Sequence, residues 1–407
     1  MFDVSKVLDS GNDNFYIDIH IIRPFPPACI VRDDLGNPKT CMYGGKKRAR
    51  IPSASIKYDM RKAFEKRWGK SAVGIRTKLV KEIIAKKIVS IDSTISTETA
   101  EKLIDDMLVG KKKLISKDTL FFISNKQVES IAKVLADYYV NNRELIEAAE
   151  KEEEKKAGEE KKPRKKKDDP LSDEKKACVK ALIDALRKNP AIDMLFLGRM
   201  AAEDPSLGYE ACVQVAQAIS VHEVIEEFDY FTASDDCTGD DEHGAGHIGV
   251  TPFNASTVYE YASINVIEML EQFVEYYEEY ESDLAAYAVA TFVNEFIDAI
   301  PKGMSKRNAH TTLPEAVYVL INTDSPINLA GAFEKPVKAD RDGGYSEPAI
   351  KRLAEYAKRQ FVENNKQPYR EWAIGTDEFG AGIRTDRKTM LQEMGEEVLK
   401  KQSEMEK

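Results

Sequence analysis

The chain has 407 residues, 42% of them hydrophobic, and a formal net charge of −10. That length allows one large or two to three ordinary domains with a real core, and the acidic balance excludes a uniformly basic coat, so a nucleic-acid surface must be a local stripe. No apolar run is long enough for a bilayer, residues 1–13 lack a signal-peptide core, and five scattered cysteines without a C-x-x-C pair argue against a disulfide framework or a thiolate zinc site, so a cytoplasmic protein without membrane contact is expected.

Phe15 to Ile22 alternates Ile17, Ile19 and Ile21 with Asp18 and His20, the pattern of a half-buried strand. Arg23 to Pro27 (RPFPP) should end it, because proline donates nothing to a ladder. Leu35-Gly36 and Asn37-Pro38 mark turns in the next loop. Between Lys39 and Arg67 stand ten basic and two acidic residues, against the sign of the whole chain. Here Gly44-Gly45 precedes Lys46, Lys47, Arg48 and Arg50, and Pro52-Ser53 opens a helix with Ser53 as its N-cap. Ile56, Met60 and Phe64 share one face of that helix, with Lys57 and Arg61 on the neighbouring one. A Gly-rich basic loop beside a helix N-terminus is a natural phosphate seat, since free N–H groups and the dipole point the same way. An anionic polymer held through its phosphates is the simplest ligand.

From Gly69 to Leu207 the pattern becomes mostly helical. Ile75, Leu79 and Ile83 form one stripe; Leu103, Ile104, Met107 and Leu108 form another, stopped by Gly110. Asp118 to Ile123 is a short apolar strand or a buried turn. Ser124 and Gln127 make a capping box. Val179, Leu182, Ile183 and Leu186 form a fourth face, ending at Asn189-Pro190. Glu150 to Pro170 has almost no apolar residue and reads as a mobile loop or linker.

Strand character returns at Ala211 to Ser220. Glu223 to Ser256 is rich in Gly and Asp, with β-like ends at Phe228–Ala233 and Ile248–Phe253, and predicts a projecting hairpin. Thr257 to Val266 is a strand, and Ile267 to Ile300 one long or two adjacent helices, broken at Pro301-Lys302-Gly303. Ala316 to Asn322 is a strand with alternating Val317, Val319 and Ile321; Glu347–Asn364 and Thr389–Glu404 are helices. Without the two insertions the order is strand, helix, strand, strand, helix, strand, that of a ferredoxin-like unit and of RNA-recognition motifs. No RNP1-type aromatic pattern appears on a strand, so base stacking on the sheet is not the expected mode.

His243 and His247, near Asp235, Asp236, Asp240 and Asp241, suggest a metal-dependent hydrolase. Gly244 and Gly246 speak against the helix on which an H-x-x-x-H pair shares a face. His20, His222 and His310 read as core, sheet-face or packing residues. Nothing assembles a nucleophile, a base and an orienting group, so no enzyme, metal or cofactor is expected.

The run Ile17 to Ser53 (IDIHIIRPFPPACIVRDDLGNPKTCMYGGKKRARIPS) resembles the N-terminus of the CasC family, the backbone subunit of type I-E CRISPR Cascade, also placed in the seventh Cas protein family. The likeness continues through FLGRMAAEDP (Phe196 to Pro205), VQVAQAISVH (Val213 to His222), DYFTASDDC (Asp229 to Cys237), HIGVTPFNASTVYEYASINV (His247 to Val266) and the blocks from Thr311 to Val337. It implies an α+β hand: a modified ferredoxin-like, RRM-type palm (14–68, 211–222 and 257–407), an inserted helical fingers domain (69–210) and a β-hairpin thumb (223–256). It also implies copies stacked head to tail along crRNA, with target DNA read by guide pairing, in a Cascade assembly with CasA, CasB, CasD and CasE. The phosphate contacts so implied are Lys39, Arg50, Ser53, Lys57 and Arg61, with Lys46, Lys47 and Arg48 as neighbours. Met200 and Ile248, which from the residues alone read as core packing, match apolar positions that flank a displaced nucleotide in that family. Pro52 and Ala54 depart from the Ser and Gln of relatives, which puts two side-chain hydrogen bonds to RNA in doubt.

Overall fold

The computed structural model describes residues 14–110, 113–156, 172–201, 203–233 and 247–407. They fall into two compact units. The first comprises Met1–Ala63, Cys212–Leu270 and Glu281–Lys407; the second comprises Phe64–Ala211 and Glu271–Tyr280.

The first unit opens with strand β1 (Tyr16–Ala28), a hairpin of β2 (Thr40–Tyr43) and β3 (Lys46–Ile51), and helix α1 (Ser53–Trp68), whose last residues count with the second unit. The second unit continues through β4 (Ile75–Thr77), α2 (Val80–Ile91), α3 (Thr97–Met107), β5 (Phe121–Ile123), α4 (Asn125–Lys156), α5 (Ser172–Arg187) and α6 (Ile192–Leu197). The chain then returns with β6 (Val213–Val215), β7 (Ala218–Ser220), β8 (Glu227–Ala233) and β9 (His247–Asn265). It ends with α7 (Val266–Tyr276), α8 (Leu284–Asp298), α9 (Ser305–Asn308), β10 (Ala316–Asn322), α10 (Ser346–Glu363), β11 (Arg370–Ile374) and α11 (Arg387–Met405).

The sheet runs β11-β10-β1-β9-β7-β3-β2, with β6 and β8 also paired to β9. Its centre, β10-β1-β9-β7, is antiparallel throughout. In chain order those strands are fourth, first, third and second, with α1 following β1 and α8 between β9 and β10. This is the ferredoxin-like palm, extended by the β2–β3 hairpin at one edge and by β11 at the other.

Strand β1 departs from the half-buried expectation. Ile17, Ile19 and Ile21 are fully buried, and so are Asp18 and His20. The alternation marks two covered faces rather than one. Asp18 accepts hydrogen bonds from the Tyr261 hydroxyl (3.0 Å), the Asn322 Nδ2 (2.7 Å) and the Ile327 amide (2.8 Å). His20 Nδ1 lies 2.8 Å from the Tyr259 hydroxyl. Burial pushes the Asp18 carboxyl up to about 6, against those hydrogen bonds, and pulls the His20 imidazole down to about 3. Tyr259, Tyr261 and Tyr318 pack on this face beneath Ala349, Leu353 and Ala357 of α10 and the turn Leu329–Phe333.

The strand also runs through RPFPP instead of stopping there. Its ladder with β10 ends at Ile22–Ala316, while pairing with β9 continues to Ala28–Asn254 with a register shift after Phe25. The prolines lie where β1 has a single neighbour, so their missing donors interrupt no central ladder.

The expected Ala211–Ser220 strand is two short strands: Val215 pairs with Ala262 but Ile219 with Tyr259, a one-residue shift. The expected hairpin is present, with Glu227 opposite Phe253 and Ala233 opposite His247. Ile267–Ile300 is two helices, and strand Ala316–Asn322 is buried along its whole length.

In the second unit, α2 buries Val80, Ile84 and Ile88, whereas Leu79 is exposed and Ile75 belongs to β4. Of the expected Ile75/Leu79/Ile83 stripe, Ile75 and Ile83 pack partly buried at the edge of the core, while Leu79, just before the helix, is exposed. The capping box stands: the Ser124 amide donates to Gln127 Oε1 (3.1 Å) and the Gln127 amide to Ser124 Oγ (3.0 Å). Residues 150–156 belong to α4 rather than to a loop. The rest of the charged run, 157–170, lies outside the described residues.

Candidate nucleic-acid interface

The basic stretch folds as the β2–β3 hairpin, which sequence reading treated as a loop. Gly44 (φ 58°) and Gly45 (φ 73°) take the two positive-φ positions of a tight turn. Gly44 is required twice over, because a Cβ there would meet the Glu334 carbonyl oxygen at 1.7 Å. The Tyr43 hydroxyl reaches the Ala330 carbonyl (3.2 Å), so the hairpin stem is fastened to the turn that covers the palm.

Arg48 completes that fastening and corrects an expectation. Its side chain is fully buried. The guanidinium donates to the carbonyls of Ser220 (2.8 Å), Phe333 (2.9 Å) and Glu334 (3.1 Å). A group so enclosed is not presented to an RNA phosphate; its charge is used to satisfy orphan carbonyls.

The other cations lie nearer solvent. Lys39 and Arg50 are opposite one another, the Arg50 amide donating to the Lys39 carbonyl (2.9 Å). Arg50 Nη1 donates to Gln217 Oε1 (2.5 Å). Lys46 pairs with Glu223 (3.1 Å) and Lys47 with Glu226 (2.7 Å). Beyond β3, Ser53 is the first helical residue and not the cap. The Pro52 carbonyl accepts from the Ser55 amide (3.0 Å) and the Ile56 amide (3.3 Å), so Pro52 holds the cap position. Ile56, Met60 and Phe64 are buried as expected, which turns Lys57 and Arg61 to the half-exposed flank of α1.

On another flank of α1 lies a cavity of about 970 Å³, walled by Ile30–Asp34, Ala54, Ser55, Tyr58 and Pro301–Gly303. Arg32, Lys62 and Lys302 are offset there by Asp33, Asp34 and Asp59. Asp59 accepts from the Ile300 amide (3.1 Å), and burial raises its carboxyl above the usual range, partly offset by Lys302. Its charges balance, so this cavity is no phosphate seat.

The aromatic face of the sheet is closed. Tyr259, Tyr261 and Tyr318 are each under 5% exposed beneath α10, which removes the stacking surface used by RNA-recognition motifs. Exposed apolar area sits instead on the β8–β9 hairpin. Phe228 and Tyr230 share a face with their partners Pro252 and Val250, and Phe228, Tyr230 and Val250 are exposed. On the opposite face the Arg307 guanidinium lies 5.0 Å over the Phe231 ring and donates to Thr251 Oγ1 (3.1 Å). The alternation of Phe228 and Tyr230 was the signal that sequence reading passed over.

In the second unit, Met200 is 89% exposed, so core packing is excluded for it. Its neighbour Arg199 is buried, donating to the carbonyls of Leu207 (2.7 Å) and Leu186 (2.9 Å) with its guanidinium 4.2 Å over the Tyr209 ring. The Arg199–Tyr209 bridge holds this turn. Ile248 pairs with Thr232 in the hairpin; its side chain lies outside the described ones.

Of the histidines, His20, His222 and His310 are buried. The His222 Nε2 accepts from the Thr257 amide (3.1 Å), leaving Nδ1 to donate to the Glu223 carbonyl (2.8 Å). His310 Nε2 lies 3.0 Å from the Pro301 carbonyl. His243 and its neighbouring aspartates lie outside the described residues, among which no His/Cys/Asp/Glu group with metal-holding geometry occurs. No described helix is long and apolar enough to cross a membrane.

A family described as CT1975-like protein matches residues 17–397. Among solved structures, the chain is similar to one titled CRISPR RNA-guided surveillance complex, pre-nicking: 29% identity, TM-score 0.71, covering 93% of this chain and all of that one. A second, titled CRISPR RNA-guided surveillance complex, is 24% identical with a TM-score of 0.57, covering 93% of this chain and 99% of that one, and supports the fold alone. No curated protein matches.

Proposed function

The chain belongs to the CT1975-like protein family, and from that premise we propose that it is a non-catalytic, guide-RNA-binding scaffold of a CRISPR surveillance complex. The observation that carries the reading is the end-to-end likeness to a chain of an RNA-guided surveillance complex at 29% identity. Copies stack head to tail along crRNA through a heterologous, open contact. The protein grips the guide through phosphates, and sequence is read by pairing of the guide with target DNA.

In this reading Lys39, Arg50, Ser53, Lys57 and Arg61 hold the backbone, with Lys46 and Lys47 beside them at the hairpin tip. Since the sheet face is closed, the guide runs along the β2–β3 hairpin and α1, not across the strands. The first unit acts as palm, the helical insertion as fingers and the β8–β9 hairpin as thumb, with Met200 and Ile248 flanking a displaced nucleotide. An apolar side chain held out in solvent, as Met200 is, suits that task. The proposed complex is of type I-E, in the cytoplasm, with CasA, CasB, CasD and CasE as partners, a reading supported by the sequence blocks that resemble CasC.

Co-expression with a CRISPR array followed by negative-stain microscopy tests the scaffold role, the expected particle being a curved filament. Lys57→Glu with Arg61→Glu should abolish it while circular dichroism still shows a folded protein. A double variant that assembles like wild type would refute the phosphate seat. Co-purification with the type I-E subunit set, as opposed to another subtype's, decides the subtype.

A further inference from the structure

The tip lysines of the β2–β3 hairpin already hold anions supplied by the chain itself. Lys46 Nζ lies 3.1 Å from a Glu223 carboxylate oxygen and Lys47 Nζ 2.7 Å from one of Glu226. Between these carboxylates the Val224 amide donates to the Lys47 carbonyl (3.0 Å). The segment Glu223–Glu226 is thus strapped to the hairpin by a backbone bond between two ion pairs, and it leads directly into β8 at Glu227. The strap is positioned by the fold. Just before it, the Ser220 carbonyl takes the buried Arg48 and the Ser220 hydroxyl takes the Ala49 amide (3.0 Å).

We propose that Glu223 and Glu226 are built-in stand-ins for RNA phosphate, which the guide displaces from Lys46 and Lys47, loosening the root of the β8–β9 hairpin as it binds. The inference rests on the RNA-binding reading above. Exposure makes the exchange feasible at Lys46 and Glu223, 52% and 48% exposed, where the pair is individually weak, while Lys47 and Glu226 are less exposed and exchange second. A polyanion that releases condensed counterions on binding outcompetes them. Arg48, two residues along the same strand, takes no part because it is sealed. Until RNA arrives, the carboxylates neutralise the tip and hold the hairpin root down. Afterwards, of these ties, the strap is held by the Val224–Lys47 backbone bond alone, so its hold on the hairpin root weakens and RNA binding and hairpin position become coupled.

Fluorescence anisotropy with a fluorescein-labelled single-stranded RNA tests this. Glu223→Gln with Glu226→Gln should tighten binding about threefold to tenfold. It should also steepen the slope of log Kd against log salt, because wild type spends part of its phosphate contact on displacing its own carboxylates. In a Lys46→Gln/Lys47→Gln background the same glutamate changes should have no effect. Unchanged or weaker binding by the glutamate variant, or an equal gain in the lysine-free background, overturns the exchange. Binding that is lost in Lys57→Glu/Arg61→Glu but indifferent to the glutamates overturns the exchange alone. Wild-type protein that binds no RNA overturns both it and the function on which it rests.

Discussion

Polar side chains on two parts of one sheet meet opposite fates. At the tip of the β2–β3 hairpin, Lys46 and Lys47 stand half in solvent against Glu223 and Glu226. On β1, Asp18 and His20 are sealed beneath α10 and take their partners from tyrosine, asparagine and backbone. Arg48 sits on the hairpin but belongs with the second group. The difference teaches that charge in a sequence reports where a cation is, not how deep it lies, and depth decides whether it binds a ligand or holds the fold. An exposed pair exchanges partners at small cost; a buried ion leaves several groups stranded when removed.

Arg48→Ala should break the comparison most. It strands the Ser220, Phe333 and Glu334 carbonyls and leaves the Tyr43–Ala330 bond as the hairpin's remaining tie to the Leu329–Phe333 turn, so urea unfolding should show a loss of about 3 kcal/mol or more. A loss under about 1 kcal/mol would mean that the hairpin does not depend on this anchor.

The buried pair on β1 gives the next effect, and its two members oppose. His20, depressed to about 3, favours the fold above the unfolded value of 6.5, and that stability is lost as pH falls toward 3. Asp18, raised to about 6, acts the other way: its protonated form is favoured in the fold, so stability is gained as pH falls through 6 and lost as it rises. From pH 7 to pH 5 the histidine costs about 2 kcal/mol and the aspartate returns about 1 kcal/mol, so wild type should respond weakly over that range. Asp18→Asn keeps the shape and removes the compensation. Its stability should fall by about 2 kcal/mol across the same interval. Parallel curves for the two proteins would refute the opposition.

Smallest should be Lys46→Ala, within about 1 kcal/mol of wild type in the same unfolding assay, because its pair is solvated. A larger loss would place the tip with the buried group and erase the contrast.

Much of the palm was legible. Ile17, Ile19 and Ile21 announced β1, Ser124 and Gln127 announced a helix start, and Ile56, Met60 and Phe64 fixed which face of α1 points inward. The misreadings have a common physical origin. RPFPP looked like a strand end because a sequence does not reveal how many neighbours a strand has at each point. Asp18 looked solvent-facing because alternation is the same whether the polar face meets water or a second layer of helix, whereas His20, read as a core or sheet-face residue, is buried. Arg48 looked like part of a phosphate seat because its partners, Ser220 and Phe333–Glu334, lie more than 170 residues away in the chain. At the candidate site the charges of Lys39, Arg50, Lys57 and Arg61 could be read directly. The carboxylates against Lys46 and Lys47 could not, for the same long-range reason. Met200 shows the reverse error: an apolar side chain assigned to packing stands in solvent because Arg199 beside it occupies the interior.

Strand β9 has a mechanical consequence. It is one continuous strand of 19 residues, about 60 Å at the usual rise per residue, paired with β8 at its outer end and with β1 at its inner end. A pull on the hairpin along the strand would load the β1–β9 rungs together, in shear, instead of opening them one at a time like a zipper. The hairpin can therefore bear tension along the strand without peeling the sheet apart, while a sideways push meets the two-stranded β8–β9 ribbon, braced on one face by Arg307, which bends more readily. The fold is stiff along the strand and compliant across it.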